Sequence, residues 1–214
     1  MYPHLFIPTA YCISKMVHPL LLFPVALLAK SSSSRAPMRS TTSALFSSSK
    51  ESAASVLPQP IIDPSTGKTQ QDLDKKLDNK RVAFYFAAGW CPMCTSFEPS
   101  LVAFRQACED SGKPVELIYV SSDRNEADAA SRASRLEMMS VPYGEETSKL
   151  KEKYKVWAGS EALQFGFGRR SGVPAIVVLD REGEELAFLA AESQGPRALG
   201  NWPLDDDNGV WSSL

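Results

Sequence analysis

Histidine is absent from residues 51–214: the chain has two, His4 and His18, and both lie near its start. Ser-His-Asp and Cys-His catalysis, and histidine-based metal sites, are therefore excluded for that stretch. Cysteine is scarce as well. Of four in 214 residues, three follow residue 50: Cys91, Cys94 and Cys108. That is too few for a disulfide-stapled scaffold, and without histidine too few for a four-ligand zinc site. No metal site is expected. No apolar run spans a bilayer: Leu20 to Ala29 is ten residues long and broken by Pro24, so stable membrane insertion is not expected. Acidic residues are missing from residues 1–50; the first is Glu51. Taking the five basic residues Lys15, Lys30, Arg35, Arg39 and Lys50 from the 23 leaves 18 against 25 acidic ones, a formal charge of −7 for residues 51–214. A stretch this acidic is a poor match for nucleic acid or an anionic membrane, so neither is expected as a partner.

The acid-free start, with its short apolar core and its Ser/Thr-rich segment from Ser31 to Ser49, reads as a targeting presequence over residues 1–50. An apolar core followed by a basic, Ser-rich stretch resembles the two-part presequence of complex plastids. Ala44-Leu45-Phe46 is similar to the cleavage context of such leaders, although it lies well after the apolar core. A plastid is the favoured destination and a mitochondrion the alternative.

Beyond it, residues 51–60 are small, polar and Pro-containing, and read as a linker. Ile61-Ile62 begins a short edge strand before the turn at Asp63–Gly67. Leu73 and Leu77, at i,i+4 spacing, give a short helix over Asp72–Asp78. Val82–Phe86 is continuous, apolar and aromatic, so it is a buried central strand. A helix follows from Pro92 to about Asp110, kinked at Pro99. Val115–Val120 is a second buried strand. Glu126–Arg135 and Glu145–Lys153 are helical, and Ala175–Leu179 is a strand. Asp180–Gly183 turns it into an antiparallel partner, Glu185–Ala190. The order is that of an α/β layer fold with a mixed sheet. Residues 204–214, which open on Asp205-Asp206-Asp207, read as a loose acidic tail.

Chemistry concentrates at Trp90-Cys91-Pro92-Met93-Cys94. A strand that delivers two thiols, three residues apart, to a helix start is the layout of a dithiol/disulfide redox site. Tyr85 to Cys94, then Phe97-Glu98-Pro99-Ser100-Leu101, resembles the thioredoxin superfamily, and more narrowly its tryparedoxin/nucleoredoxin branch. Val120–Arg124, Val141-Pro142-Tyr143, Gly172-Val173-Pro174-Ala175 and Asn201-Trp202-Pro203 are similar to further segments of that branch, in order. The resemblance covers about residues 61–203. It implies a thioredoxin-like fold: a single domain with a central mixed sheet flanked by helices. It also implies a cis Pro174 that sets the Val173 backbone beside Cys91. Tyr85 stands where ordinary thioredoxins carry a buried Asp, so Cys94 must lose its proton to another group or to water. Three features depart from the branch: Met93 in the redox dipeptide, Thr95 where a basic residue is common, and roughly fourteen extra residues, Trp157–Arg170.

At the helix N-terminus, unpaired N–H groups and the helix dipole favour a thiolate at Cys91. Cys94 lies one turn on, within disulfide reach, and is expected to be the more buried. Cys91 attacks a substrate disulfide and Cys94 resolves the mixed disulfide. Trp90, Pro92, Met93, Val173 and Pro174 are the substrate-binding candidates. No bound cofactor is expected: the redox group is the Cys91–Cys94 disulfide itself, supplied with electrons by an external reductase or dithiol. Cys108 reads as a packing thiol. The insertion is either a lid beside the Pro174 loop or a surface excursion that packs its aromatics on the core. The expected function is a monomeric protein-disulfide oxidoreductase, with protein disulfide clients and an upstream reductant as partners. The alternative is a redox-sensitive binding protein with little turnover.

Overall fold

In the computed structural model, which describes residues 52–212, the aromatic run becomes β1 (Lys80–Ala87), buried along all but its first residue. It pairs in parallel with β2 (Val115–Ser121), Phe84 opposite Ile118, and antiparallel with β4 (Ala175–Leu179), Phe84 opposite Val177. β3 (Met139–Ser140) lies parallel on β2, and β5 (Glu185–Leu189) antiparallel on β4. The mixed sheet thus runs β3-β2-β1-β4-β5, while β6 (Val210–Trp211) pairs with the first residues of β1. Parallel pairing of β1 and β2 needs a crossover, which α3 (Pro92–Asp110) supplies after two short helices, α1 (Ala53–Val56) and α2 (Leu73–Leu77).

Alternate residues of a strand face opposite sides of its sheet. Tyr85 meets Phe97 of α3 at 6.2 Å between ring centroids, while Phe84 and Phe86 meet Tyr154 at 6.0 and 6.1 Å. Tyr154 ends α5 (Glu145–Tyr154), so α3 and α5 cover opposite faces of β1. Such aromatic pairs contribute about 0.5–1.5 kcal/mol each beyond their buried area. The thioredoxin-like architecture implied by the sequence motifs is the one observed, and the described residues fall within one compact unit.

The strand and helix expectations hold with small changes of boundary, and α4 (Glu126–Arg135) runs over the expected residues. Pro99 sits inside an unbroken α3. Ile62 makes bridges to Thr69 and Ser140 in place of a full edge strand.

Two expectations are corrected. The linker over 51–60 contains α1 and buries Leu57, because Val56-Leu57 gives it an apolar foothold on the core. The tail is not loose throughout. The Asp206 carboxylate accepts the Asn208 N–H at 2.9 Å and caps a 3-10 turn, Asp207–Gly209, after which Val210–Trp211 joins the sheet. Trp211 is 4% exposed, and burying an indole outweighs the polarity of the acidic residues before it. The presequence expected over 1–50, with His4 and His18, lies outside the described residues. Among the described residues no helix is long and apolar enough to cross a membrane.

Candidate active site

Cys91 is the N-cap of α3, with extended backbone (φ −86°, ψ 114°), and its sulfur accepts the Cys94 N–H at 3.4 Å. One of the otherwise unpaired N–H groups of the helix start is thereby spent on a sulfur. Pro92, with no N–H to satisfy, opens the helix. Both cysteines are free thiols, Cys91 6% and Cys94 0% exposed. Burial pushes the Cys94 thiol well above its ordinary range, its hydrogen bond to Cys91 adds to this, and a backbone hydrogen bond from Ala88 acts the other way. The Val173–Pro174 bond is cis, and the Cys91 thiol donates to the Val173 carbonyl at 3.7 Å. Loops about 80 residues apart in sequence therefore meet at one sulfur.

Trp90 forms the opposite lip. It is 38% exposed, its indole N–H donates to the Ser122 carbonyl at 2.9 Å, and the Arg124 guanidinium lies 5.9 Å over its ring. Beside it Asp123 locks the loop. Its Oδ1 accepts the Gly89 N–H at 2.7 Å, and its Oδ2 accepts the hydroxyls of Tyr119 at 2.6 Å and Ser121 at 2.8 Å. Met93 is exposed, and the Thr95 hydroxyl donates to the Pro92 carbonyl.

Two features near Cys94 went unrecognised in the sequence. Glu98, one turn beyond it, is buried and held by Arg132 of α4, whose Nε donates to Oε1 at 3.0 Å while a terminal nitrogen donates to Oε2. Burial works against the charge of Arg132, but the Glu98 hydrogen bond and charge outweigh it, and the guanidinium is held even more firmly protonated. The signal was a carboxylate on the apolar face of α3, among Cys94, Phe97 and Leu101. The Tyr85 hydroxyl, fully buried, finds no hydrogen-bond partner among the described residues. Burial first, then the fields of Cys94 and Glu98, push its ionisation up, so it stays a neutral phenol.

Cys108 sits fourteen residues beyond Cys94 on the same helix, roughly 21 Å along its axis, and is buried with its thiol pushed up by burial. It packs and does not join the pair. Among the described residues no cluster of three or more His, Cys, Asp or Glu could hold a metal ion. The insertion roots itself in the fold: Trp157 is buried, stacks on Phe165 at 5.5 Å and donates its indole N–H to the Gly166 carbonyl at 3.2 Å. Leu163 and Phe167 stand almost fully exposed on it.

A family model described as thioredoxin-like matches residues 79–185. Nucleoredoxin from Mus musculus is 31% identical over 129 residues, covering 59% of this chain and 26% of that protein. A probable nucleoredoxin 1 from Arabidopsis thaliana is 32% identical over 132 residues, covering 61% and 20%. The chain thus spans about a quarter or less of these relatives. In fold it is similar to tryparedoxin from Trypanosoma brucei, with a TM-score of 0.51 at 23% identity over 71% of this chain and 96% of that one.

Proposed function

The chain belongs to the thioredoxin-like family, in its tryparedoxin/nucleoredoxin-like branch, and on that premise we propose that it is a protein-disulfide reductase, with Cys91 attacking and Cys94 resolving. One observation carries the reading: the Cys91 sulfur caps α3, takes the Cys94 N–H at 3.4 Å, and faces the Val173 carbonyl at 3.7 Å. A thiolate formed there is stabilised by the helix N-terminus and by a donor already aimed at it.

Cys91 attacks one sulfur of a client disulfide. The client S–S bond breaks, and its electron pair leaves on the second client sulfur, which takes a proton from water. Cys94 then gives up its proton and attacks the Cys91 sulfur. That step breaks the mixed disulfide, releases the first client sulfur as a thiolate and closes the Cys91–Cys94 disulfide. The client gains two electrons, and an external reductase or dithiol returns them to the protein. Trp90, Pro92 and Met93 border the sulfurs on one side. Val173 and Pro174 border them on the other, where an extended client segment pairs with the backbone.

Insulin reduction with a dithiol donor tests this, wild type against Cys91→Ser. Turnover that vanishes in the variant supports the reductase. A wild type without turnover, but with redox-dependent capture of a partner, would replace it with a binding switch. Cys94→Ser is expected to accumulate the mixed disulfide, and mass spectrometry of the trapped species identifies the client. We also propose delivery to an organelle, a plastid before a mitochondrion, from the acid-free composition of residues 1–50.

A further inference from the structure

The insertion, Trp157–Arg170, is tied by side chains to both loops that flank Cys91. On the Trp90 side the tie is Glu161. Its Oε2 accepts the Ser122 hydroxyl at 2.8 Å and the Ala158 N–H at 2.8 Å, and its Oε1 accepts the Lys151 ammonium at 2.5 Å. Ser122 is the residue whose carbonyl receives the Trp90 indole. On the Pro174 side the tie is Arg169. It donates to the Trp157 carbonyl at 3.1 Å and to Glu192 at 3.3 Å. Glu192 in turn accepts the N–H of Gly172, the residue before Val173, at 2.5 Å. Packing there is so close that a Cβ at Gly172 would overlap the Glu192 carboxylate.

Each arm of the insertion thus ends on a residue that is bonded or bound to a lip of the site. Stability alone is a poor explanation for the Glu161 arm. Lys151 is 4% exposed, and a buried ion pair is often no more stabilising than apolar residues of the same size. What such a pair does supply is fixed geometry, here the position of Ser122. We propose that the insertion is an active-site strut, with Glu161 and Arg169 as positioning residues that set the gap between the Trp90 lip and the Val173 backbone. The substrates this selects are folded-protein disulfides presented on an extended segment, which must fit between both lips. Small disulfides need only reach Cys91. The inference rests on the reductase reading above.

The test compares catalytic efficiency on insulin with that on a small aromatic disulfide, for wild type, Ser122→Ala and Arg169→Lys. Ser122→Ala cuts the first arm but leaves the Lys151–Glu161 pair and the Ser122 carbonyl in place. Arg169→Lys keeps the charge but loses the guanidinium fork that reaches two acceptors. The expected result is a fall of about fivefold or more in the insulin-to-small-disulfide efficiency ratio for each variant, carried by KM for insulin. Glu161→Gln, which retains an acceptor for Ser122, is expected to fall less than Glu161→Ala. A ratio within twofold of wild type in a folded Ser122→Ala protein overturns the strut, as does a parallel loss on both substrates with a lowered Tm. A wild type that reduces neither substrate overturns the reductase reading instead.

Discussion

Removing the Glu98 carboxylate while leaving Arg132 strands a guanidinium inside the protein. Both side chains are less than a tenth exposed, and the pair is joined by two hydrogen bonds. Breaking a buried pair by deleting one partner costs about 3–5 kcal/mol, because the survivor keeps its desolvation penalty without its compensation. The unfolding entropy of the 161 described residues is about 340 cal/mol/K at roughly 2.1 cal/mol/K per residue, so the Tm of Glu98→Ala should fall by about 9–15 °C. Arg132→Ala should fall by a similar amount. The double variant Glu98→Leu/Arg132→Met leaves no orphaned charge and keeps most of the volume. It should recover to within about 3 °C of wild type, since apolar replacement of a buried pair is often neutral. Circular dichroism melts of the four proteins, all fully reduced, read out the comparison. Single variants that melt within 3 °C of wild type would refute the reasoning. So would a double variant as unstable as the singles, because the losses would then not come from an unpaired buried charge.

Trp211→Ala should cost about 3 kcal/mol, the low end for a buried indole because its N–H finds no acceptor among the described residues; urea unfolding would show no shift if the tail were loose. Resolution of the mixed disulfide should speed up about tenfold per pH unit between pH 6 and 8, since burial keeps Cys94 protonated there and only its thiolate attacks; a flat stopped-flow profile contradicts this. The same shift has a stability sign. The Cys94 ionisation lies above its unfolded value of about 8.5, so its contribution is complete below that pH and is lost as pH climbs toward the folded value. A fluorescent protein fused behind residues 1–50 should enter the plastid of a complex-plastid alga, and a fusion that spreads through the cytosol rejects the presequence reading.

The parts of this fold that were legible in the sequence are those whose signals are local. An apolar aromatic run wrote β1, a proline and two thiols wrote the start of α3, and Val173-Pro174 marked the loop that reaches Cys91. β3 and β6 are two residues each, too short for any periodicity, and exist only because neighbouring strands supply partners. The contacts that finish the site link residues 34 to 39 positions apart: Glu98 to Arg132, Gly89 to Asp123, Ser122 to Glu161. No spacing rule connects such pairs. Glu98 alone carried a local signal, though an unused one: a carboxylate on an otherwise apolar helix face requires a partner even before that partner is known.

On the proposed mechanism, the surroundings of Cys94 decide how the two half-reactions differ. Cys91 sits at a helix start with a donor N–H on its sulfur. Cys94 has burial against it. Tyr85 is held as a neutral phenol, and both oxygens of Glu98 are occupied by Arg132. An Asp at position 85 would have placed a proton acceptor beside the Cys94 thiol, and this chain has a ring there instead. On the proposed mechanism, attack starts from a thiol at a helix start, whereas resolution needs a proton removed from a dry site. On that mechanism, resolution depends on solvent access and pH through the buried Cys94 thiol. A client that shields Cys94 from water should stay attached longer than one that does not.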